Sequence, residues 1–234
     1  MLGEWQFPQS DVEIAENIRS GRLRAFCPPE WVAFQRRTRS DNCGHPGDVD
    51  LGDGASPLME GDDLAVLDAA LNEAKVVLEY GSGFSTVHLG NRLKDWGRLM
   101  SVEHDRRWFD QVTTLLREQN LKNVTLLLRE PKTGPPHRDF QRFSERNLRE
   151  YIEAPQKYLK EGDVDLVFVD GRQRINCALA AARLMKPGGY LMIHDFWATL
   201  RYRARLSELL EQYDYLLESP SGEQNQGLAV FRKR

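Results

Sequence analysis

Short apolar runs separated by amphipathic stretches give this 234-residue chain its frame. Runs at 76–79, 99–103, 123–128, 164–169 and 190–193 have strand length, which predicts five β-strands. Between them, apolar residues recur at helical spacing over about 86–94, 106–119, 174–185 and 199–212, and Trp108, Val112 and Leu115 give the second of these helices its buried side. A further helix from Gly61, marked by Leu64, Leu67 and Leu71, feeds the first strand. Strand and helix in alternation build parallel sheets, so the chain is expected to be α/β, with a doubly wound, mostly parallel sheet. The last segment breaks the rule. Runs at 213–217 and 228–232 flank Pro220, Ser221 and Gly222 with no helix between them, which predicts an antiparallel C-terminal hairpin.

Two pieces fall outside the plain alternation. Before residue 61, Ser10-Asp11-Val12-Glu13 has the capping-box form and predicts a helix that stops at Gly21. Pro28-Pro29 opens a short helix carrying Trp31, Val32 and Phe34, and 41–57 reads as a loop rich in Gly, Asp and Pro. Between the third and fourth strands, 129–162 is longer than a crossover requires and reads as a loop followed by a helix through Leu148, Tyr151 and Ile152. The expected organisation is an extension over 1–60 that caps the substrate, then a domain over 61–234 carrying the 129–162 insertion as a lid. Both pieces hold aromatic and basic groups, among them Trp31, Phe34, Arg36, His137, Phe140 and Tyr151, suited to enclosing a polar acceptor.

Composition narrows the partners. A net charge of −3, with 29% charged and 41% hydrophobic residues, argues against nucleic acid. Cys27, Cys43 and Cys177 form neither a disulfide framework nor a zinc motif. With no apolar leader and no stretch long enough to span a bilayer, a cytoplasmic protein without a membrane partner is expected. Asp48-Val49-Asp50 fails as a calcium loop, because Gly52 and Met59 stand where acidic ligands belong.

Candidate chemistry begins where the first strand ends. In Val76-Val77-Leu78-Glu79-Tyr80-Gly81-Ser82-Gly83-Phe84-Ser85-Thr86, a strand leads to a carboxylate, a glycine turn and a helix start. Gly81 and Gly83 can take positive φ and admit a ligand to the backbone. Thr86 stands where a dinucleotide fingerprint has its third glycine, so pyrophosphate fits poorly; Glu79 would repel phosphate yet attract an ammonium or sulfonium group. Glu103, 24 positions after Glu79 and at the tip of the second strand, is placed to hold a ribose diol, with His104 beside it. On these motifs the chain resembles the class I S-adenosylmethionine-dependent methyltransferases, whose first motif is an acid followed by Gly-x-Gly and whose second strand ends in an acid. Over roughly 60–234 it is most similar to small-molecule O-methyltransferases, which carry a Ser-Thr pair where Ser85-Thr86 stand and an His-Asp pair where His194-Asp195 stand. The resemblance implies a Rossmann-like fold and S-adenosylmethionine held by Glu79, Gly81, Gly83, Ser85, Thr86, Glu103 and His104. It also implies methyl transfer to a hydroxyl of a small polar molecule.

Ligands of doubly wound sheets sit beyond the carboxyl ends of the strands. There the fourth predicted strand ends in Asp170-Gly171-Arg172 and the fifth in His194-Asp195-Phe196-Trp197, making Asp170, His194 and Asp195 the candidate catalytic residues. His194, with an unperturbed pKa near 6.5, is a natural base for an alcohol. A subset of O-methyltransferases instead holds magnesium or calcium with acids at these strand ends, usually as Asp-Asp or Asp-Asn where this chain has His194-Asp195. Metal ligation by Asp170 and Asp195 therefore stands as a second reading. Arg172 and Arg174 could clamp an anionic substituent of the substrate, although Arg174 is expected to face solvent in the first turn of its helix. Two other functions compete: an NAD-dependent oxidoreductase, which would need a glycine at 86, and a non-catalytic methyltransferase-fold binding protein, against which the intact acids argue.

Overall fold

The computed structural model describes residues 61–132, 144–196, 204–218 and 227–234, together with Pro57, Met59 and Tyr202. In chain order its elements are α1 (Gly61–Leu71), β1 (Val76–Tyr80), α2 (Phe84–Leu93), β2 (Arg98–Glu103), α3 (Arg106–Glu118) and β3 (Val124–Leu128). Then follow α4 (Arg149–Glu153) with a 3₁₀ turn, β4 (Val164–Val169), α5 (Arg174–Ala181), β5 (Met185–Ile193), α6 (Leu206–Leu210), β6 (Tyr213–Glu218) and β7 (Ala229–Lys233). The strands form one sheet in the order β3-β2-β1-β4-β5-β7-β6. Pairing is parallel from β3 to β5, and β7 runs antiparallel to both β5 and β6. The expected parallel sheet and terminal hairpin are both present. Strand β5 starts five residues before the expected 190, because Pro187-Gly188-Gly189 looks like a turn yet belongs to an irregular strand start where the register shifts between Val164 and Leu166. The helices expected before residue 61, residues 133–143 of the insertion and the Pro220–Gly222 turn lie outside the described residues.

Both sheet faces are covered, which is why the central strands are apolar at successive positions rather than alternating. One face puts Leu78, Tyr80, Val167, Val169, Leu191 and Ile193 against α4, α5 and α6. The other puts Val77, Leu99, Leu166, Phe168 and Met192 against α1 and α2. Polar side chains interrupt that second face. Glu79 and Ser101 are register partners on β1 and β2 and are completely buried. Among the described residues no helix is long and apolar enough to cross a membrane.

The ladder continues one residue beyond three strand ends. Gly81 N–H donates to the Val102 carbonyl at 2.9 Å, Asp170 N–H to Tyr80 at 2.9 Å, and His194 N–H to Val169 at 3.1 Å. The first residue after β1, β4 and β5 is thus held as firmly as a strand residue, which fixes the side chains of Asp170 and His194 on the sheet rim. Gly81 takes φ +90°, and a Cβ there would lie 2.5 Å from the backbone of Gly171. Gly81→Ala should therefore lose roughly 1–3 kcal/mol from backbone strain, with more from the collision. Urea unfolding of the two proteins checks this, and equal midpoints would contradict the close backbone approach.

Candidate active site

A buried carboxylate organises the glycine turn. Glu79 Oε1 accepts from Ser85 Oγ at 2.6 Å, and Oε2 accepts from Thr86 Oγ1 and Ser101 Oγ, each at 2.6 Å. Burial pushes its pKa up to about 7, against the opposing pull of these three hydroxyls. Thr86 also receives Gly83 N–H at 2.9 Å, so its hydroxyl links the helix start to Glu79. A third glycine would forfeit that link. The side chain of Glu79 does not reach the surface, and it bears on a ligand by holding the turn and through its field. Gly83 differs from its expected conformation: its φ is 178°, open to any residue, and a Cβ there would meet nothing within 4 Å.

At the tip of β2, Glu103 is 2% exposed and faces the same turn. Its Oε2 accepts from Ser82 N–H at 2.7 Å and Ser82 Oγ at 3.0 Å, while Oε1 accepts from the amides of His104 at 2.7 Å and Asp105 at 2.8 Å. Asp105 caps α3 by accepting from Arg107 N–H and Trp108 N–H, which fixes the chain just past the acid. The His104 ring packs edge-on against Tyr151 of α4, with centroids 5.5 Å apart. Tyr151 is fully buried, and its hydroxyl makes no hydrogen bond among the described residues. That hydroxyl lies where a Cβ on Gly171 would collide with it, so it stands between the ends of β2 and β4.

The rim of β4 and β5 carries the second cluster. His194 Nδ1 lies 3.0 Å from Asp170 Oδ1 and 3.6 Å from Asp195 Oδ2. An ionised carboxylate only accepts, which assigns the proton to Nδ1 and leaves the lone pair on Nε2. Nε2 is 3.8 Å from Oδ2 of the buried Asp63 on α1, beyond hydrogen-bond reach. Burial works against the charged forms of both partners but is outweighed. The His194 hydrogen bond and the charge of Arg174 hold Asp170 below the ordinary aspartate range, and Asp170 with Asp195 raises His194 above its usual value. Asp195 adopts φ +49°, an uncommon conformation for aspartate that turns the chain at the strand end.

Asp170, His194 and Asp195 are thus brought together as expected, and Glu79, Gly81, Gly83, Ser85, Thr86, Glu103 and His104 gather around the neighbouring turn. Arg174 corrects its expectation. It does not face solvent, because it folds back over the rim and donates to the carbonyls of Asp170, Gly171 and His194, with Nη2 3.1 Å from Asp170 Oδ1. Asp63 was not identified from the sequence, since an acid in the first turn of a helix reads as a complement to the helix dipole. Phe196 fills the core beside Phe231, and Trp197 lies outside the described residues.

A family model described as a methyltransferase domain matches residues 78–196, which include both clusters. The chain belongs to this methyltransferase family. No curated protein matches it. Among solved structures, a methyltransferase-like protein from Silicibacter pomeroyi is 26% identical, with a TM-score of 0.57 over 75% of this chain and 87% of that one. The O-methyltransferase TomG from Streptomyces achromogenes, in complex with SAM, is 19% identical, with a TM-score of 0.52 over 74% and 78%. An O-methyltransferase from Thermotoga maritima is 14% identical, with a TM-score of 0.51 over 76% and 67%. At those identities the last two attest the shared fold. The dehydrogenase reading falls, and the methyltransferase takes S-adenosylmethionine as its cofactor. The residues present fit that group. Gly83 leaves open space where no neighbour in the described chain demands a glycine, and the buried Tyr151 hydroxyl still has a hydrogen bond to give.

Proposed function

We propose that this methyltransferase acts on a hydroxyl of a small polar molecule, with Asp170 and His194 as an orienting acid and general base. The observation that carries this reading is the His194 Nδ1 to Asp170 Oδ1 contact of 3.0 Å on the rim beside the glycine turn. When bound, S-adenosylmethionine supplies an activated methyl group, so the protein has only to align the acceptor and remove its proton. Asp170 holds the imidazole in one tautomer and favours its protonated form, so Nε2 is the atom that takes the hydroxyl proton. Asp195 adds negative charge beside the imidazolium that results. On the cofactor side, Glu103 is the acceptor for the ribose hydroxyls, which would replace the Ser82 hydroxyl now bonded to it. Ser82, Gly81 and Gly83 form the cradle, with His104 and Tyr151 as its neighbours. Glu79, Ser85 and Thr86 hold that cradle from beneath. Tyr151 belongs to the 129–162 insertion, which supports the reading of that segment as a border of the site. The cap proposed for 1–60 lies outside the described residues.

Labelled-methyl transfer to a panel of small alcohols, phenols and sugars, with product NMR, tests the reaction class. An O-methyl product is expected; exclusive transfer to nitrogen, carbon or RNA would overturn it. The pH dependence follows from the raised pKa of His194. A base must be unprotonated, so kcat/KM should rise with pH through a value above 6.5. In Asp170→Asn the limb should move to lower pH, since a paired opposite charge is removed. A limb that stays in place would exclude the pair. Stability moves the other way: protonated His194 stabilises the fold at low pH, and that contribution is lost as pH rises through its raised pKa.

A further inference from the structure

The Asp170, His194 and Asp195 ligand atoms lie within 4.8 Å of one another, close enough together to hold a metal ion. Two features of this chain do not fit a metal there. The first is that His194 Nδ1 and Asp170 Oδ1 are hydrogen-bonded to each other at 3.0 Å. A metal needs the lone pair at that nitrogen, whereas the hydrogen bond puts a proton on it. The second is that the cation place is taken. The Arg174 guanidinium, 13% exposed, has Nη2 3.1 Å from Asp170 Oδ1 and Nη1 3.8 Å from Asp195 Oδ2. Its other oxygen neighbours are strand-end carbonyls: Gly171 at 3.1 Å from Nε, Asp170 at 3.2 Å from Nη2, and His194 against Nη1. The Tyr202 ring covers it, with its centroid 5.7 Å from the guanidinium carbon. A hard divalent ion seeks just such a set of carboxylate and carbonyl oxygens.

We infer that the guanidinium of Arg174 replaces the divalent cation of this rim, so that the protein binds no metal there and Arg174 supplies the fixed positive charge. Arginine cannot be deprotonated in a protein, so this charge is permanent. It keeps Asp170 ionised and able to accept from His194, and it locks the ends of β4 and β5 together through the three carbonyls. Arg174 is a positioning residue in this account, because it acts through Asp170 and His194. The inference concerns the charge of the rim and holds whichever acceptor is methylated.

The test is Mn²⁺ titration followed by electron paramagnetic resonance, on the full-length protein and on Arg174→Met. The wild-type protein should take up no Mn²⁺ at millimolar metal, and its methyl transfer should be unchanged by EDTA. Arg174→Met removes the cation that fills the place, so it should bind Mn²⁺ about 10-fold or more tighter, and Asp170→Asn in that background should abolish the gain. Saturable Mn²⁺ binding by the wild type that is lost in Asp170→Asn would overturn the inference, as would activity lost in EDTA and restored by magnesium. A folded Arg174→Met that stays metal-free would also overturn it, by showing that the guanidinium is not what occupies the place. Should Arg174→Met fail to fold, the wild-type titration decides alone.

Discussion

His194→Ala and Asp170→Ala should each slow methyl transfer by about 10² to 10⁴, with cofactor affinity nearly unchanged. The split follows from geometry. Both side chains stand on the rim of β4 and β5, joined at 3.0 Å, whereas the proposed ribose acceptor Glu103 is on β2 beside Ser82. Single-turnover rates at saturating cofactor measure the chemical step, and calorimetry with S-adenosylhomocysteine measures binding. Because Arg174 also leans on Asp170, Asp170→Ala leaves that guanidinium with less to hold it, and its rate loss should be the larger of the two. Full turnover by both variants would remove the base assignment.

Glu103→Ala should weaken S-adenosylmethionine binding by roughly 10- to 150-fold, the equivalent of about 1.5 to 3 kcal/mol for hydrogen bonds to a charged group. The structure adds a reason to expect the upper part of that range. Glu103 accepts from four donors, two of them on Ser82 in the glycine turn and two on the amides that lead into α3. Its removal both deprives the ligand of an acceptor and releases the turn that cradles it. Glu103→Gln separates these effects, since it keeps one oxygen for Ser82 while losing the charge. An unchanged dissociation constant in a folded Glu103→Ala protein would take the ribose assignment away.

The sheet was legible in the sequence because strands buried on both faces announce themselves as continuous apolar runs, and ionisable residues at or near their ends interrupt those runs at fixed places. Glu79, Glu103, Asp170 and His194 were all readable in that way. What stayed hidden depended on register and on chain reversal. Ser101 meets Glu79 only because β1 and β2 pair residue for residue, a relation no local pattern contains. Asp63 reaches the rim from α1, an element whose sequence speaks only of its own apolar face. Arg174 looked like a first-turn surface residue; instead Gln173, in a left-handed conformation at φ +55°, precedes a helix whose first side chain turns back over the strand ends. Gly83 can take positive φ but has an extended backbone here, and the open space around it offers the reason for its small size.

The most direct measurement is a crystal structure of the full-length protein with S-adenosylhomocysteine. The ribose hydroxyls should lie within hydrogen-bond distance of Glu103, the ligand backbone should pass over Gly81 and Gly83, and the sulfur should face the rim that carries Asp170 and His194. A ligand bound with its sulfur turned away from that rim, or with Glu103 still held by Ser82 and touching no hydroxyl of the ribose, would contradict the account.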